Sequence, residues 1–256
     1  MGSGDSGLAT ARAYLMSAES QFTDDGRQAQ TDGAVVTFPR AVLFDLDGTL
    51  LDSAPDMLAT VNAMLDARGR AQIALAQLRP VVSKGARAML AVAFAELDAV
   101  ERDALVPEFL RRYEALIGTQ SQLFDGVEEL LLRLERAGCI WGVVTNKPEY
   151  LARLILPQLG WEQRCAVLIG GDTLAERKPH PLPLLAAAER IGVVPAQCVY
   201  VGDDERDILA ARAAAMPSVA VLWGYRLHDD APSRWQANVL VAQPQALWDA
   251  MAWPQT

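Results

Sequence analysis

Ala41-Val42-Leu43-Phe44-Asp45-Leu46-Asp47-Gly48-Thr49 is the stretch that decides the fold. Its first four residues are apolar without alternation, the pattern of a strand buried on both faces of a parallel sheet. Two carboxylates and a glycine follow at once, so the strand runs out into a polar loop. Similar apolar runs recur at 140–144, 166–169, 198–201 and 219–222. Between them the periodicity is helical. Pro148 suits the first turn of a helix that carries Leu151, Leu154 and Ile155 on one face. Leu182, Leu185, Ala186 and Glu189 continue a second, ending near Gly192. Ile208, Leu209 and Arg212 lie on a third. Strands alternating with helices predict an α/β fold, an open, doubly wound, Rossmann-like parallel sheet.

One interval breaks the alternation. From 55 to 124 the chain shows only helical periodicity: Met57, Leu58, Val61, Met64 and Leu65 form one stripe, 88–94 another, and 105–117 a third around Pro107. Asp125, with Glu128 three residues on, then reads as the cap of a new helix. The expected organisation is a core domain from 39–54 and 125–256, a helical cap domain at 55–124 inserted into it, and a poorly structured extension at 1–38, rich in Gly, Ser, Thr, Asp and Gln.

The 256 residues are 51% apolar and 21% charged, ordinary for a soluble protein with a sizeable core. The net charge of −9 argues against a nucleic-acid partner, which needs a basic face. The uncharged stretch 213–225 is shorter than a membrane span and is interrupted by Pro217, so no membrane partner is expected. The first 25 residues carry Asp5, Glu19, Asp24 and Asp25 and no basic start before an apolar block, which predicts a cytoplasmic protein. Cys139, Cys165 and Cys198 sit beside Ile, Ala and Val. They read as buried structural thiols rather than a zinc site or a disulfide framework.

Open parallel sheets place ligands beyond the carboxyl ends of their strands. After the first run comes Asp45-Leu46-Asp47-Gly48-Thr49. After 140–144 comes Thr145-Asn146-Lys147, and ahead of the helix near 182 comes Lys178-Pro179. After 198–201 comes Gly202-Asp203-Asp204-Glu205-Arg206-Asp207. Carboxylates gathered so closely repel one another unless a cation holds them, and oxygen-only ligands suit a hard ion, Mg²⁺ above all.

These four motifs, in this order, resemble those of the haloacid dehalogenase superfamily, and the helical insertion after the first is similar to that superfamily's cap. Within it, 81–89, 140–148 and Trp223-Gly224-Tyr225 resemble phosphoglycolate phosphatases. They look closer still to a bacterial subgroup that includes N-acetylmuramic acid 6-phosphate phosphatase. The resemblance implies a Mg²⁺-dependent hydrolase of a small-molecule phosphomonoester, acting through an aspartyl phosphate, as a monomer or homodimer. Carried over, Asp45 is the nucleophile and Asp47 the general acid and base. Asp45, Asp203 and the Asp47 backbone carbonyl hold the metal. Thr145, Asn146 and Lys178 bind the phosphate, Asp207 steadies Lys178, and Asp204 lies behind the ligands. Ser83, Lys84 and Arg87 reach from the cap to the rest of the substrate. Arg206 is expected to point to solvent and His180 to serve the turn it sits in. Ala215 stands where such proteins often have Gly.

Two other functions share parts of this pattern. A sugar-phosphate mutase on the same fold would interconvert phosphates without net release. A phospho-acceptor module of the receiver kind would keep the nucleophile, but it lacks a long helical insertion after the nucleophile strand. Dehalogenases of the superfamily lack a second aspartate in the first motif, so Asp47 counts against them.

Overall fold

The computed structural model describes residues 36–251, 253 and 254; the extension expected at 1–38 lies almost wholly outside them. Val36–Thr37 pairs antiparallel with Trp253–Pro254. Pro39–Met251 forms one compact unit.

At its centre is a six-stranded sheet. Its strands are β1 (Ala41–Phe44), β2 (Ile140–Val144), β3 (Leu168–Ile169), β4 (Cys198–Gly202), β5 (Ser218–Val221) and β6 (Val239–Val241). They run in the order β3-β2-β1-β4-β5-β6, every pair parallel. β1 is sandwiched between two parallel neighbours, and all four of its side chains are 0 to 1% exposed. That is why its sequence carries no alternation.

Between Asp52 and Gln122 the chain is helical. It forms α1 (Ala54–Asp66), α2 (Leu75–Leu78), α3 (Ala86–Ala93) and α4 (Ala99–Leu116), with a 3₁₀ segment at Arg79–Lys84. Leu51–Asp52 pairs antiparallel with Gln122–Leu123, so the outgoing and returning chain are stitched together at the root of this insertion. Asp56, fully buried, tightens the same root. Its carboxylate accepts from the Gly118 and Gln120 N–H groups and from the Thr119 and Ser121 hydroxyls.

The remaining helices flank the sheet: α5 (Val127–Arg136), α6 (Glu149–Gln158), α7 (Leu182–Arg190), α8 (Glu205–Ala213) and α9 (Leu247–Ala250). Two details differ from the sequence reading. The cap of α5 is Gly126, at φ 88° and with no side-chain bond, rather than Asp125. In α6 and α8, Leu151, Ile155 and Ile208 are buried as expected, whereas the buried face of α7 is turned from the expected one. Leu154, Leu185 and Leu209 are 40%, 38% and 42% exposed, while Ala152, Ala187, Ala188, Ala210 and Ala211 are buried. Alanine lets a helix backbone approach the sheet closely, and the large side chains are left at the flanks.

All three cysteines are free; Cys139 and Cys198 are buried and Cys165 half-buried. Burial pushes the Cys139 thiol up to about 12 and those of Cys165 and Cys198 to about 11, which keeps them protonated and inert.

Ala215 adopts φ 54° in the turn after α8 and is exposed. A left-handed conformation costs a Cβ-bearing residue about 1–2 kcal/mol, partly offset by the extra chain entropy that glycine loses on folding. Ala215→Gly is therefore expected to stabilise the protein by ~0.5–1 kcal/mol, read as a higher urea midpoint at unchanged m-value. A lowered midpoint would show that the turn carries no such strain.

Candidate active site

The strand order reverses between β1 and β4, and there the loops diverge and open a crevice. Asp45 leaves β1 on one side of that point and Asp203 leaves β4 on the other. Asp45, Asp203 and Asp207 each place a carboxylate oxygen within 4.8 Å of the others. Asp203 and Asp207 are fully buried and Asp45 is 8% exposed. Burial, reinforced by Asp45 and Asp207, pushes the Asp203 carboxyl well above the usual carboxylate range. Burial and the Asp45 charge likewise push Asp207 up, against the pull of Lys178.

Lys178 is the cation among them. Its ammonium lies 3.0 Å from Asp45 and 2.8 Å from Asp207, and it donates to the Tyr200 hydroxyl at 2.7 Å. Tyr200 in turn donates to the Val144 carbonyl. Burial works against the charge on Lys178, but Asp207 and Asp45 outweigh it and hold its pKa above the ordinary lysine value. Asp207 thus holds the lysine from below while also accepting from the Asp204 N–H.

Asp203 is held by neutral donors: the Thr49 hydroxyl at 3.2 Å, the Ser83 hydroxyl at 2.8 Å and the Tyr225 N–H at 2.8 Å. Gly48, at φ 85°, packs against it so closely that a Cβ there would lie 2.2 Å from its carboxylate oxygen. Both the turn and the close approach demand glycine at this position.

A cavity of about 670 Å³ opens onto Asp45 and Lys178. Asp45, Asp47, Thr145, Asn146, Lys147 and Lys178 line it from the sheet loops. Ser83, Lys84, Arg87, Phe109 and Tyr113 line it from the helical insertion. The residues expected from the sequence are therefore brought to one place, but several are engaged differently. Ser83 bonds Asp203 itself. Lys84 lies 2.9 Å from Asp204 and 3.5 Å from Asp230. Arg87, with a side chain 66% exposed, pairs with Asp103 at the rim. Asn146 donates its amide to the Lys178 carbonyl, tying the two loops together. Asp204 caps α8 and is held charged, against its burial, by Arg206 and Lys84. Arg206, expected in solvent, instead pairs with Asp204 at 2.9 Å and lines the cavity. His180 accepts from the Leu182 N–H at the start of α7, a structural use.

Lys147 and Tyr113 are the residues the sequence reading left out. Lys147 is 7% exposed, and its ammonium lies 3.0 Å from both carboxylate oxygens of Asp47. It also donates to the Tyr113 hydroxyl at 2.7 Å. Tyr113 projects from α4, 1% exposed and stacked on Phe109. Burial, then the charges of Asp47 and Asp56, raise its pKa well above the ordinary value, so the hydroxyl keeps its proton.

A family model for haloacid dehalogenase-like hydrolases matches residues 39–215. The chain is 82% identical to a phosphoglycolate phosphatase of Xanthomonas campestris pv. campestris, over 85% of its own length and 99% of that protein. It is 45% identical to an N-acetylmuramic acid 6-phosphate phosphatase of Pseudomonas aeruginosa, over 83% and 94% of the two chains. Among solved structures, "a predicted phosphoglycolate phosphatase" from Haemophilus somnus superposes with a TM-score of 0.74 at 28% identity, covering 84% of this chain and 98% of that one.

Proposed function

This chain belongs to the haloacid dehalogenase-like hydrolases, and from that footing we propose that it hydrolyses phosphomonoesters of small carboxylic acids through an aspartyl phosphate on Asp45. The observation that carries this reading is the convergence of Asp45, Asp47 and Lys178 on one cavity at the switch point of the sheet.

The residues fit Mg²⁺. Of three buried or nearly buried carboxylates, Asp45 and Asp207 share one lysine and Asp203 has none, which leaves net negative charge in a confined volume, and every donor is oxygen. Asp45 and Asp203 would hold the ion, with the Asp47 carbonyl. When bound, it neutralises charge between an anionic phosphate and the carboxylate that attacks it.

The chain's own groups supply the rest. A carboxylate oxygen of Asp45 attacks phosphorus, and the bond to the alcohol oxygen breaks. Asp47 gives that oxygen a proton as it leaves. Thr145 and Lys178 take the phosphoryl oxygens, where charge gathers in the transition state, and are already fixed before the substrate arrives. Water then attacks the acyl phosphate, giving Asp47 its proton and returning Asp45 as a carboxylate. Lys178 keeps Asp207 as a partner throughout, so its charge stays compensated when Asp45 is esterified.

The cavity is roomier than a two-carbon acid requires, and α4 contributes Val106, Phe109, Leu110 and Tyr113 to its lining. This supports N-acetylmuramic acid 6-phosphate as a second candidate beside 2-phosphoglycolate. Phosphate release from both acids and from common sugar phosphates, ranked by kcat/KM, tests the reading. Release is expected to require Mg²⁺ and to stop with excess chelator. Ca²⁺ is expected to inhibit, because its larger and looser shell misplaces nucleophile and phosphate. Full activity in chelator would overturn the mechanism.

A further inference from the structure

Lys147 raises a problem that the reaction as described does not answer. Its ammonium is buried, and its one anionic partner among the described residues is Asp47, bonded through both oxygens. Asp47 is also the group that must reach the leaving oxygen of the substrate. To do so, at least one of its oxygens has to come off Lys147. A buried ammonium stripped of its counter-charge is costly. Another anion has to take over on Lys147 for the exchange to be favourable.

The other cations of the cavity are committed elsewhere or lie outside. Lys178 stands between Asp45 and Asp207, on the phosphate side. Lys84 and Arg206 are held by Asp204, while Arg87 and Arg177 also line the cavity but are exposed to solvent. Lys147 alone adjoins Asp47, hence the alcohol side of the ester. Resting on the phosphatase reading above, we propose that Lys147, backed by Tyr113, is the specificity residue that receives a carboxylate carried by the substrate's alcohol portion. That carboxylate replaces Asp47's on the ammonium, and Asp47 is freed to meet the leaving oxygen.

The seat is already shaped for such a group. Asp47 demonstrates that a planar carboxylate fits Lys147 with both oxygens at 3.0 Å. Tyr113 accepts from Lys147 through its oxygen and keeps its own proton, so its O–H can donate to the same carboxylate. The Lys147 ammonium also lies 4.4 Å from the Tyr113 ring centroid, a second contact that holds it at this seat. Because Tyr113 belongs to α4, acid recognition on this side joins the helical insertion to the sheet loops.

Matched substrate pairs test this. One pair is 2-phosphoglycolate and 2-hydroxyethyl phosphate; the other is N-acetylmuramic acid 6-phosphate and its lactyl carboxamide. Within each pair a neutral group replaces the carboxylate and the rest is kept, so the pair that wild type turns over better is used. Wild type is expected to prefer the acid by about tenfold or more in kcat/KM, the effect of one charge-assisted bond. Lys147→Met should erase most of that preference, Lys147→Arg should keep part of it, and Tyr113→Phe, which leaves the ring packing intact, should reduce it less than Lys147→Met. Any loss common to both members, from disturbing Asp47, cancels in the ratio. An unchanged ratio in Lys147→Met overturns the proposal and makes Lys147 a positioning residue for Asp47. A wild type that shows no preference for the acid overturns it as well. A wild type that releases phosphate from none of the four overturns the phosphatase reading instead.

Discussion

Asp45→Asn is expected to remove turnover while leaving the fold in place. The substitution deletes the nucleophile and one carboxylate of the candidate metal cluster together, so kcat should fall by at least about a thousandfold on every substrate. The fold should tolerate it for a reason visible in the electrostatics. Asp45 is among the causes that push Asp203 and Asp207 upward, so it is a repulsive neighbour in the metal-free protein. Lys178 loses one carboxylate but keeps Asp207 at 2.8 Å. The metal-free variant should therefore melt no earlier than metal-free wild type. Residual phosphate release of more than a few per cent in purified variant would rule out Asp45 as nucleophile. A collapse in melting temperature would instead make Asp45 a structural ion-pair partner.

Much of the architecture was legible because the central strand sits where sequence is least ambiguous. A run such as Ala41–Phe44, apolar at every position, fits few environments other than a strand covered on both faces. Strand order was not legible. Only pairing in space places β4 beside β1 and so makes the Asp45–Asp203 crevice. The face of α7 is not legible, because alanine does the packing there. Ala187 and Ala188 bury completely or nearly so while Leu185 stays outside, and a reading weighted by side-chain size turns the helix the wrong way.

The same division holds in the site. Asp45, Asp47, Thr145, Lys178 and Asp203 converge because each follows a strand or precedes a helix at one edge of the sheet, a rule readable along the chain. Lys147 follows that rule too, two residues beyond Thr145. What marks it in the structure is its burial and its bond to Tyr113, which comes from α4, far away along the chain. No local pattern marks a tyrosine on the buried stripe of a helix as anything but core. Ser83 is the reverse case: the resemblance points it at substrate, and in the structure it lines the cavity with its hydroxyl donating to Asp203. Side-chain partners across an insertion depend on how the insertion packs, and that is a tertiary fact.

Asp47→Asn should fail in a way that depends on the leaving group. An alkyl alkoxide is too basic to depart without a proton, so on an alkyl phosphate the variant should lose about 10²- to 10⁴-fold, the usual range for a general acid. A nitrophenolate departs unaided, so Asp45 should still be phosphorylated by nitrophenyl phosphate. The second half of the cycle then stalls, because Asp47 is also the group that takes a proton from the attacking water. Stopped-flow traces should show a burst of nitrophenolate near one equivalent per site, followed by slow release. The structure adds a reason why the variant should hold its shape. Asn keeps a carbonyl oxygen for Lys147, and the Tyr113 hydroxyl at 2.7 Å still accepts one hydrogen bond from the ammonium. The buried lysine thus loses its counter-charge but not all its hydrogen bonds. Full activity of Asp47→Asn on an alkyl phosphate would exclude Asp47 as the acid. Equal losses on alkyl and aryl esters, with no burst, would place its contribution in holding the Asp45 loop and Lys147 together rather than in moving a proton.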